Sequence, residues 1–224
     1  MLRSLTAKYS GGCMMLMRRE GEDVHFLGTA FFVHKDGYLV TAAHNIKQQD
    51  SLVVVPAEGA NEFTPMTLDR VSSIPVKVAQ SSVERDITLL ELKPEVEIGI
   101  PESLIGKPDE VPTGSTLMAL GFSFGHYRLH NLISIHAVLS SKILSPNGTR
   151  LLLFDRMVHY GDAGGPLVNG EDERVIGVVL GRFNIMDFAQ KEEGAPEIPA
   201  VDLSYAVSIE YAIDLMEEEG LDMG

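Results

Sequence analysis

The sequence Gly-Asp-Ala-Gly-Gly-Pro occupies residues 161–166. Taken alone, a glycine-rich run that ends in proline is most often only a turn. Two upstream motifs give it more weight: Thr-Ala-Ala-His ends at His44, and Asp86 stands at the head of the apolar run Ile-Thr-Leu-Leu. Acyl transfer at a peptide bond needs a base, an anion that orients the base, and N–H donors for an oxyanion. The three motifs offer these parts in the order His, Asp, turn, but Ala163 has no side-chain oxygen to act as a nucleophile.

Most of the chain is predicted to form short β-strands, because β-branched and aromatic residues recur in short runs between turn signals such as Lys-Asp-Gly at 35–37. Residues 95–113 hold three prolines and two glycines, and are predicted to link two halves. Residues 183–199 are predicted to be an exposed loop. The predicted strands are residues 24–33, 38–41, 51–56, 76–79, 87–92, 116–121, 132–144, 151–155, 166–168, 175–180 and 203–207.

Only the C-terminal segment has a clear helical pattern. Ile209, Ala212 and Ile213 recur at i, i+3 and i+4 spacing, with Ser208 as the predicted N-cap and Gly220 as the stop. Many short strands with one terminal helix predict an all-β barrel or sandwich.

The composition limits the function classes. A net charge of −14 and a pI of about 4.8 argue against nucleic acid or an anionic membrane as the main partner. Cys13 is the one cysteine, so no intramolecular disulfide can form. The apolar run at 13–17 is too short for a signal peptide and is followed by two arginines. With no run near the roughly 20 apolar residues of a membrane span, a cytoplasmic location is predicted.

The chain resembles the trypsin-like serine proteases of the chymotrypsin fold, and within them the bacterial HtrA/Deg branch. The similarity covers residues from about 24 to 218. It is carried by Gly-Thr-Ala-Phe at 28–31, Tyr-Leu-Val-Thr-Ala-Ala-His at 38–44, Asp-Ile-Thr-Leu-Leu at 86–90, Gly-Asp-Ala-Gly-Gly-Pro-Leu-Val-Asn at 161–169, Val-Ile-Gly-Val at 175–178 and Ser-Tyr-Ala-Val-Ser-Ile at 204–209. The order His, Asp, nucleophile position is the chymotrypsin order.

This resemblance implies an all-β, chymotrypsin-like fold of two six-stranded antiparallel β-barrels with a C-terminal α-helix. One peptidase domain would fill residues 1–224: an N-terminal barrel in 1–100, a linker in 101–112, a C-terminal barrel in 113–208 and the helix in 209–220. The site would lie in the cleft between the barrels, with His44 as general base and acid and Asp86 orienting its ring. Ala163 would hold the nucleophile position, where the family has serine. The N–H groups of Gly161 and Ala163 would form the oxyanion hole, and a Cβ-free conformation is the expected reason for the glycine.

The resemblance also places the substrate pocket before the nucleophile loop and along the strand after it. Because Met157 aligns with the base of this pocket, an apolar substrate side chain is favoured, although Met157 and Val158 fit equally well as core residues. The predicted substrate-binding residues are Met157, Val158, His159, Tyr160, Val179, Leu180 and Gly181.

Two positions depart from the family pattern. Val179 or Leu180 stands where relatives often have a serine that supports the aspartate, so an extra hydrogen bond to Asp86 is not expected. In secreted relatives the aspartate at position 162 pairs with a freed N-terminus, and this chain has no obvious activation site. Asp162 therefore needs another partner.

Ala163 permits two interpretations. An engineered serine-to-alanine change is favoured, because His44, Asp86, Gly161 and the following Gly-Gly-Pro are all retained. The alternative is a natural pseudoprotease that binds peptides or scaffolds partners. Both predict a protein or peptide as the ligand and no cofactor, and leave open a homo-oligomer, an additional domain or a partner subunit. A zinc site is not expected, since His126, His130 and His136 lack a typical ligand spacing.

Overall fold

Twelve strands form two closed antiparallel barrels in the part of the chain that the structure describes. This structure is a computed structural model that describes residues 2–57, 62–67, 71–93, 97–188 and 202–222. The strand order is β1-β2-β3-β6-β5-β4 in the first barrel and β10-β11-β12-β9-β8-β7 in the second. The elements are α1 (Leu2–Tyr9), β1 (Cys13–Glu20), β2 (Asp23–His34), β3 (Tyr38–Thr41), β4 (Leu52–Pro56), β5 (Ile74–Ser82), β6 (Ile87–Leu92), β7 (Thr116–Gly121), β8 (Ile133–Leu144), β9 (Arg150–Phe154), β10 (Pro166–Asn169), β11 (Val175–Arg182), β12 (Ser204–Ser208) and α2 (Glu210–Glu218).

The predicted fold class is confirmed, and each of the eleven predicted strands is present. Helix α1 and strand β1 were missed. All five residues of the apolar run at 13–17, which form the first part of β1, are buried. Its alternate residues join two different clusters: Met14 and Leu16 pack with β2 and β4, whereas Met15 joins the cluster shared by both barrels. Because both faces of β1 are buried, the strand lacks the alternation by which half-buried strands are recognised.

A single apolar cluster joins the two barrels. Phe31 and Val40 of the first barrel belong to the same buried cluster as Met118 and Leu120 of β7 in the second. The cleft that carries the candidate site therefore lies above a continuous core, which limits movement of one barrel against the other.

Helix α2 begins and ends close to the predicted positions. The structural N-cap is Ile209, and Ser208 instead accepts a 3.4 Å hydrogen bond at its Oγ from the Glu210 amide. Gly220 adopts a φ of +80°, and the Leu221 amide donates to the Met216 carbonyl at 3.0 Å. This left-handed glycine ends the helix as expected.

The predicted linker and loop have more structure than the sequence suggested. Ile105 forms a parallel bridge with Val175, so the linker is tied to the second barrel. Phe183 stacks on Phe188 with ring centroids 5.2 Å apart. Residues 95–96 of the predicted linker and 189–199 of the predicted loop lie outside the described residues.

Candidate active site

His44 and Asp86 form a close pair at the mouth of the cleft. His44 lies in a short 3₁₀ turn, Ala43–Asn45, directly after β3, and Asp86 immediately precedes β6. The distance from His44 Nδ1 to Asp86 Oδ2 is 2.6 Å, and the His44 amide donates to Asp86 Oδ1 at 2.8 Å. Two contacts to one carboxylate set both the position and the ring orientation of the histidine. With Nδ1 engaged, Nε2 is the ring nitrogen left for proton transfer.

The backbone of Asp86 supports this contact. Its φ of +54° is left-handed, a conformation that aspartate tolerates better than most residues. The carbonyl of Asp86 accepts from the Ala43 amide at 3.3 Å, which joins the two loops. Among the described residues, the hydrogen bonds to the Asp86 side chain come from His44.

The loop that carries position 163 is held by the first barrel. The Ala163 carbonyl accepts from the Thr29 amide at 2.9 Å and from Asn45 Nδ2 at 3.0 Å. Thr29 Oγ1 donates to the Gly161 carbonyl at 2.7 Å and accepts from the Phe122 amide at 3.1 Å. Thr29 and Asn45 flank the loop from the same barrel as His44, so these bonds fix position 163 relative to the histidine.

Position 163 offers a methyl group and no hydroxyl. Ala163 is 2% exposed and belongs to the apolar cluster between the barrels. A histidine–aspartate pair can move a proton, but position 163 offers it no oxygen to activate.

One of the two predicted oxyanion donors, the Ala163 amide, is bonded within its own loop. Residues 160–162 form a 3₁₀ turn, and the Ala163 amide points back to the Tyr160 carbonyl at 3.4 Å. Gly161 does not adopt a positive φ, so the expected reason for this glycine is wrong. Steric contact requires glycine at position 161 instead, because a Cβ there would lie 2.1 Å from the Phe122 carbonyl oxygen.

Asp162 finds its partner inside the second barrel. Its carboxylate accepts from Ser123 Oγ at 2.6 Å and from the His159 amide at 2.8 Å, and the residue is 1% exposed. Burial raises the pKa of Asp162, and the hydrogen bonds from Ser123 and His159 offset part of that rise. The carboxylate thereby caps the 3₁₀ turn that precedes position 163.

Asp162→Asn is expected to remove a pH dependence of stability. Because burial raises the folded-state pKa of Asp162 above its ordinary 3.8, the folded protein retains a proton there that the unfolded chain has lost. The free energy of unfolding contributed by this group is therefore highest at low pH and falls as pH rises through the folded pKa. Asparagine stays neutral, and can accept from the His159 amide and donate to Ser123. Urea unfolding of both proteins between pH 4 and 8 should show the variant gaining relative stability with pH.

Asp202→Asn, at an exposed aspartate, is the matched control and should follow the parent across this range. A difference between parent and Asp162→Asn that stays constant with pH would contradict the assignment.

A cleft cavity of about 660 Å³ lies beside His44. Of the predicted substrate-binding residues, His159 and Tyr160 line it, while Met157 lines a neighbouring cavity of about 350 Å³. The other four do not face this cleft: Val158, Val179 and Leu180 are buried in the core, and Gly181 lines neither cavity. Side chains in the core cannot contact a substrate, so the predicted pocket needs this correction.

Sequence reasoning missed most of the cavity wall. The signal for part of it was the aromatic-rich run after β7, Phe-Ser-Phe-Gly-His-Tyr at 122–127. The residues that line the cavity besides His44, His159 and Tyr160 are Leu27, Asn45, Ser123, Phe124, His126, Tyr127 and Arg182.

The described residues contain no group of three or more histidine, cysteine or acidic side chains placed to hold a metal ion. Among them, no helix combines the length and apolar character needed to cross a membrane.

The two-barrel fold and the arrangement of histidine, aspartate and glycine-rich turn are typical of trypsin-like peptidases. A family model described as the trypsin-like peptidase domain matches residues 28–178. The chain belongs to this family.

The chain is similar in sequence to two groups of curated relatives. A probable periplasmic serine endoprotease, DegP-like, from Hahella chejuensis is 24% identical over 90% of this chain and 37% of its own length. Serine protease HTRA4 from Mus musculus is 27% identical over 67% of this chain and 29% of its own length. The chain thus spans about a third of the length of the relatives that it matches.

The predicted cytoplasmic location is wrong on this comparison. DegP-like relatives from three bacteria are named as periplasmic. The run at 13–17 is the buried part of strand β1 and carries no information about location.

A solved structure extends the similarity to the fold. The HtrA-type protease AlgW, solved with a tripeptide, superposes with a TM-score of 0.70 at 18% identity, covering 97% of this chain and 63% of that chain. The two-barrel architecture is therefore shared with HtrA-type proteases.

Proposed function

We propose that this chain is a serine-endopeptidase domain that is disarmed at position 163, and that it holds a peptide segment in the cleft without cleaving it. The observation that carries the proposal is the 2.6 Å contact between His44 and Asp86, retained although position 163 lacks the nucleophilic oxygen. A histidine oriented in this way serves to take a proton from a nucleophile.

With a serine at position 163, each retained residue has a role. The hydroxyl oxygen attacks the carbonyl carbon of the peptide bond while its proton passes to His44 Nε2, and Asp86 stabilises the charged ring. The bond to the leaving nitrogen then breaks, and that nitrogen takes the proton from His44. The negative oxygen needs the amides of position 163 and Gly161, so the 3₁₀ turn at 160–162 must open when substrate binds.

A natural peptide-binding or scaffolding module is the second candidate. Its support is the same turn: the Ala163 amide is bonded to Tyr160, and Asp162 caps the turn from a buried position. A closed turn suits a domain that binds and does not catalyse. The two candidates share peptide binding and differ in whether a restored hydroxyl meets a working base.

A fluorophosphonate probe separates them. The probe phosphonylates a serine oxygen with loss of fluoride only when a neighbouring base activates that oxygen. The Ala163→Ser variant should gain one label on the peptide that contains residue 163, detected by mass spectrometry, and the parent chain should gain none there. Adding Asp86→Asn to the variant should slow labelling strongly, because the histidine loses its orientation. An Ala163→Ser variant that folds and remains unlabelled would overturn the endopeptidase proposal in favour of the binding module.

A further inference from the structure

The wall of the cleft cavity beside His44 contains basic side chains, although the chain as a whole carries −14. Arg182 and three histidines line it, and no aspartate or glutamate occurs among the described residues of its wall. Burial lowers the pKa of His126, which disfavours the charged form of that ring. Arg182 therefore supplies the permanent charge of the cavity.

Arg182 is held in place at one edge of its guanidinium group. It is the last residue of β11, and its Nε donates to the Val158 carbonyl at 3.1 Å. That carbonyl belongs to a fixed segment, since the Val158 side chain is buried and its amide donates to the buried Ser204 Oγ at 3.0 Å. A guanidinium anchored in this way loses less conformational entropy when it binds a ligand.

The rest of that guanidinium group has no protein partner among the described residues. Its two Nη nitrogens form no hydrogen bond there, and Arg182 forms no ion pair. By contrast, Arg18, Arg85 and Arg150 each pair with a carboxylate. A planar fork of N–H donors that faces a cavity without an acidic group matches the geometry of a carboxylate.

We infer that Arg182 selects peptide segments that place a carboxylate in this cleft, from an aspartate or glutamate side chain or from a free C-terminus. Leu27, Phe124 and Tyr127 line the same cavity and give apolar contacts for the rest of the segment. The inference rests on the proposed function, since it takes a peptide as the ligand. It replaces the apolar preference drawn from Met157, which lines the neighbouring cavity.

Fluorescence anisotropy with the unmodified chain tests this without catalysis. Three labelled heptapeptide mixtures have uncharged residues at the six non-central positions and differ in the central residue and the C-terminal group. The first has a central Glu and an amidated C-terminus, and the second has a central Gln and an amidated C-terminus. The third has a central Gln and a free C-terminal carboxylate. At pH 8, where an unperturbed imidazole is neutral, the Glu mixture, the free-end mixture or both should bind about 10- to 100-fold tighter than the amidated Gln mixture. The pattern identifies the source of the carboxylate.

Arg182→Gln should bring the ratio of the affinities for the carboxylate-bearing and the amidated Gln mixtures close to one. Arg156→Gln is the matched control, because Arg156 also bonds a carbonyl through Nε, at His136, but lines the neighbouring cavity. The control should keep the preference. Equal affinities for all three mixtures, or an equal loss in both variants, would overturn the inference while leaving peptide binding in place. Absence of binding by every mixture would overturn the peptide-binding proposal as well.

Discussion

The Ala163→Ser variant is expected to hydrolyse unfolded protein between about 10³- and 10⁶-fold faster than the parent chain. The upper value is the effect of a complete triad, and the lower one allows for the free energy of opening the 3₁₀ turn at 160–162, since each 1.4 kcal/mol is a factor of ten. The reason for a large gain is that His44 and Asp86 are already 2.6 Å apart, so the added hydroxyl meets an oriented base. Release of fluorescent fragments from labelled casein measures the rate.

His44→Ala in the Ala163→Ser background is the control for this experiment. Residues of a triad act as a unit, so removing the base should return hydrolysis close to the parent level. Fragment release that survives in the double variant would show a contaminating protease or another mechanism. An Ala163→Ser variant with the parent's rate would contradict the expected result directly.

Gly164→Ala is expected to have the largest effect on stability, about 3 kcal/mol or more. Gly164 has a φ of +90°, and a Cβ there would lie 2.0 Å from the Thr29 carbonyl oxygen and 2.3 Å from Thr41 Oγ1. The left-handed backbone costs about 1–2 kcal/mol for a residue with a Cβ, and overpacking typically adds about 1–3 kcal/mol. Thermal unfolding should show a midpoint lower by roughly 6–12 °C for a chain of this size.

Gly148→Ala separates the cost of the left-handed backbone from the cost of steric contact with the added Cβ. Gly148 has a similar φ of +82° but nothing within 4 Å of the added atom. Its replacement should therefore cost only the free energy of the left-handed backbone, about 1–2 kcal/mol. If both variants lost the same free energy of unfolding, steric contact between the first barrel and position 164 would not contribute to the loss.

Local patterns were sufficient for most of the fold. β2 and β3 were predictable because the Lys-Asp-Gly turn at 35–37 separates them, and α2 because its apolar residues follow a helical period and end at Gly220. β1 was not predictable by alternation, since α1 and the second barrel bury the face that would otherwise be polar. Burial on both faces is a property of the assembled barrels and leaves no periodic trace in the strand itself.

In the candidate site, too, some residues could be predicted from local motifs and others only from the tertiary structure. His44, Asp86 and position 163 could be named from the sequence, because each lies in a short motif whose residue types are dictated by its chemistry. The partner of Asp162 could not, because Ser123 lies 39 positions away and meets it through a side-chain hydrogen bond. Arg182 likewise becomes a cleft residue only because β11 brings it to the Val158 carbonyl. Such contacts depend on strand register and barrel closure, which set distances between residues far apart in the chain; local residue patterns carry no measure of those distances.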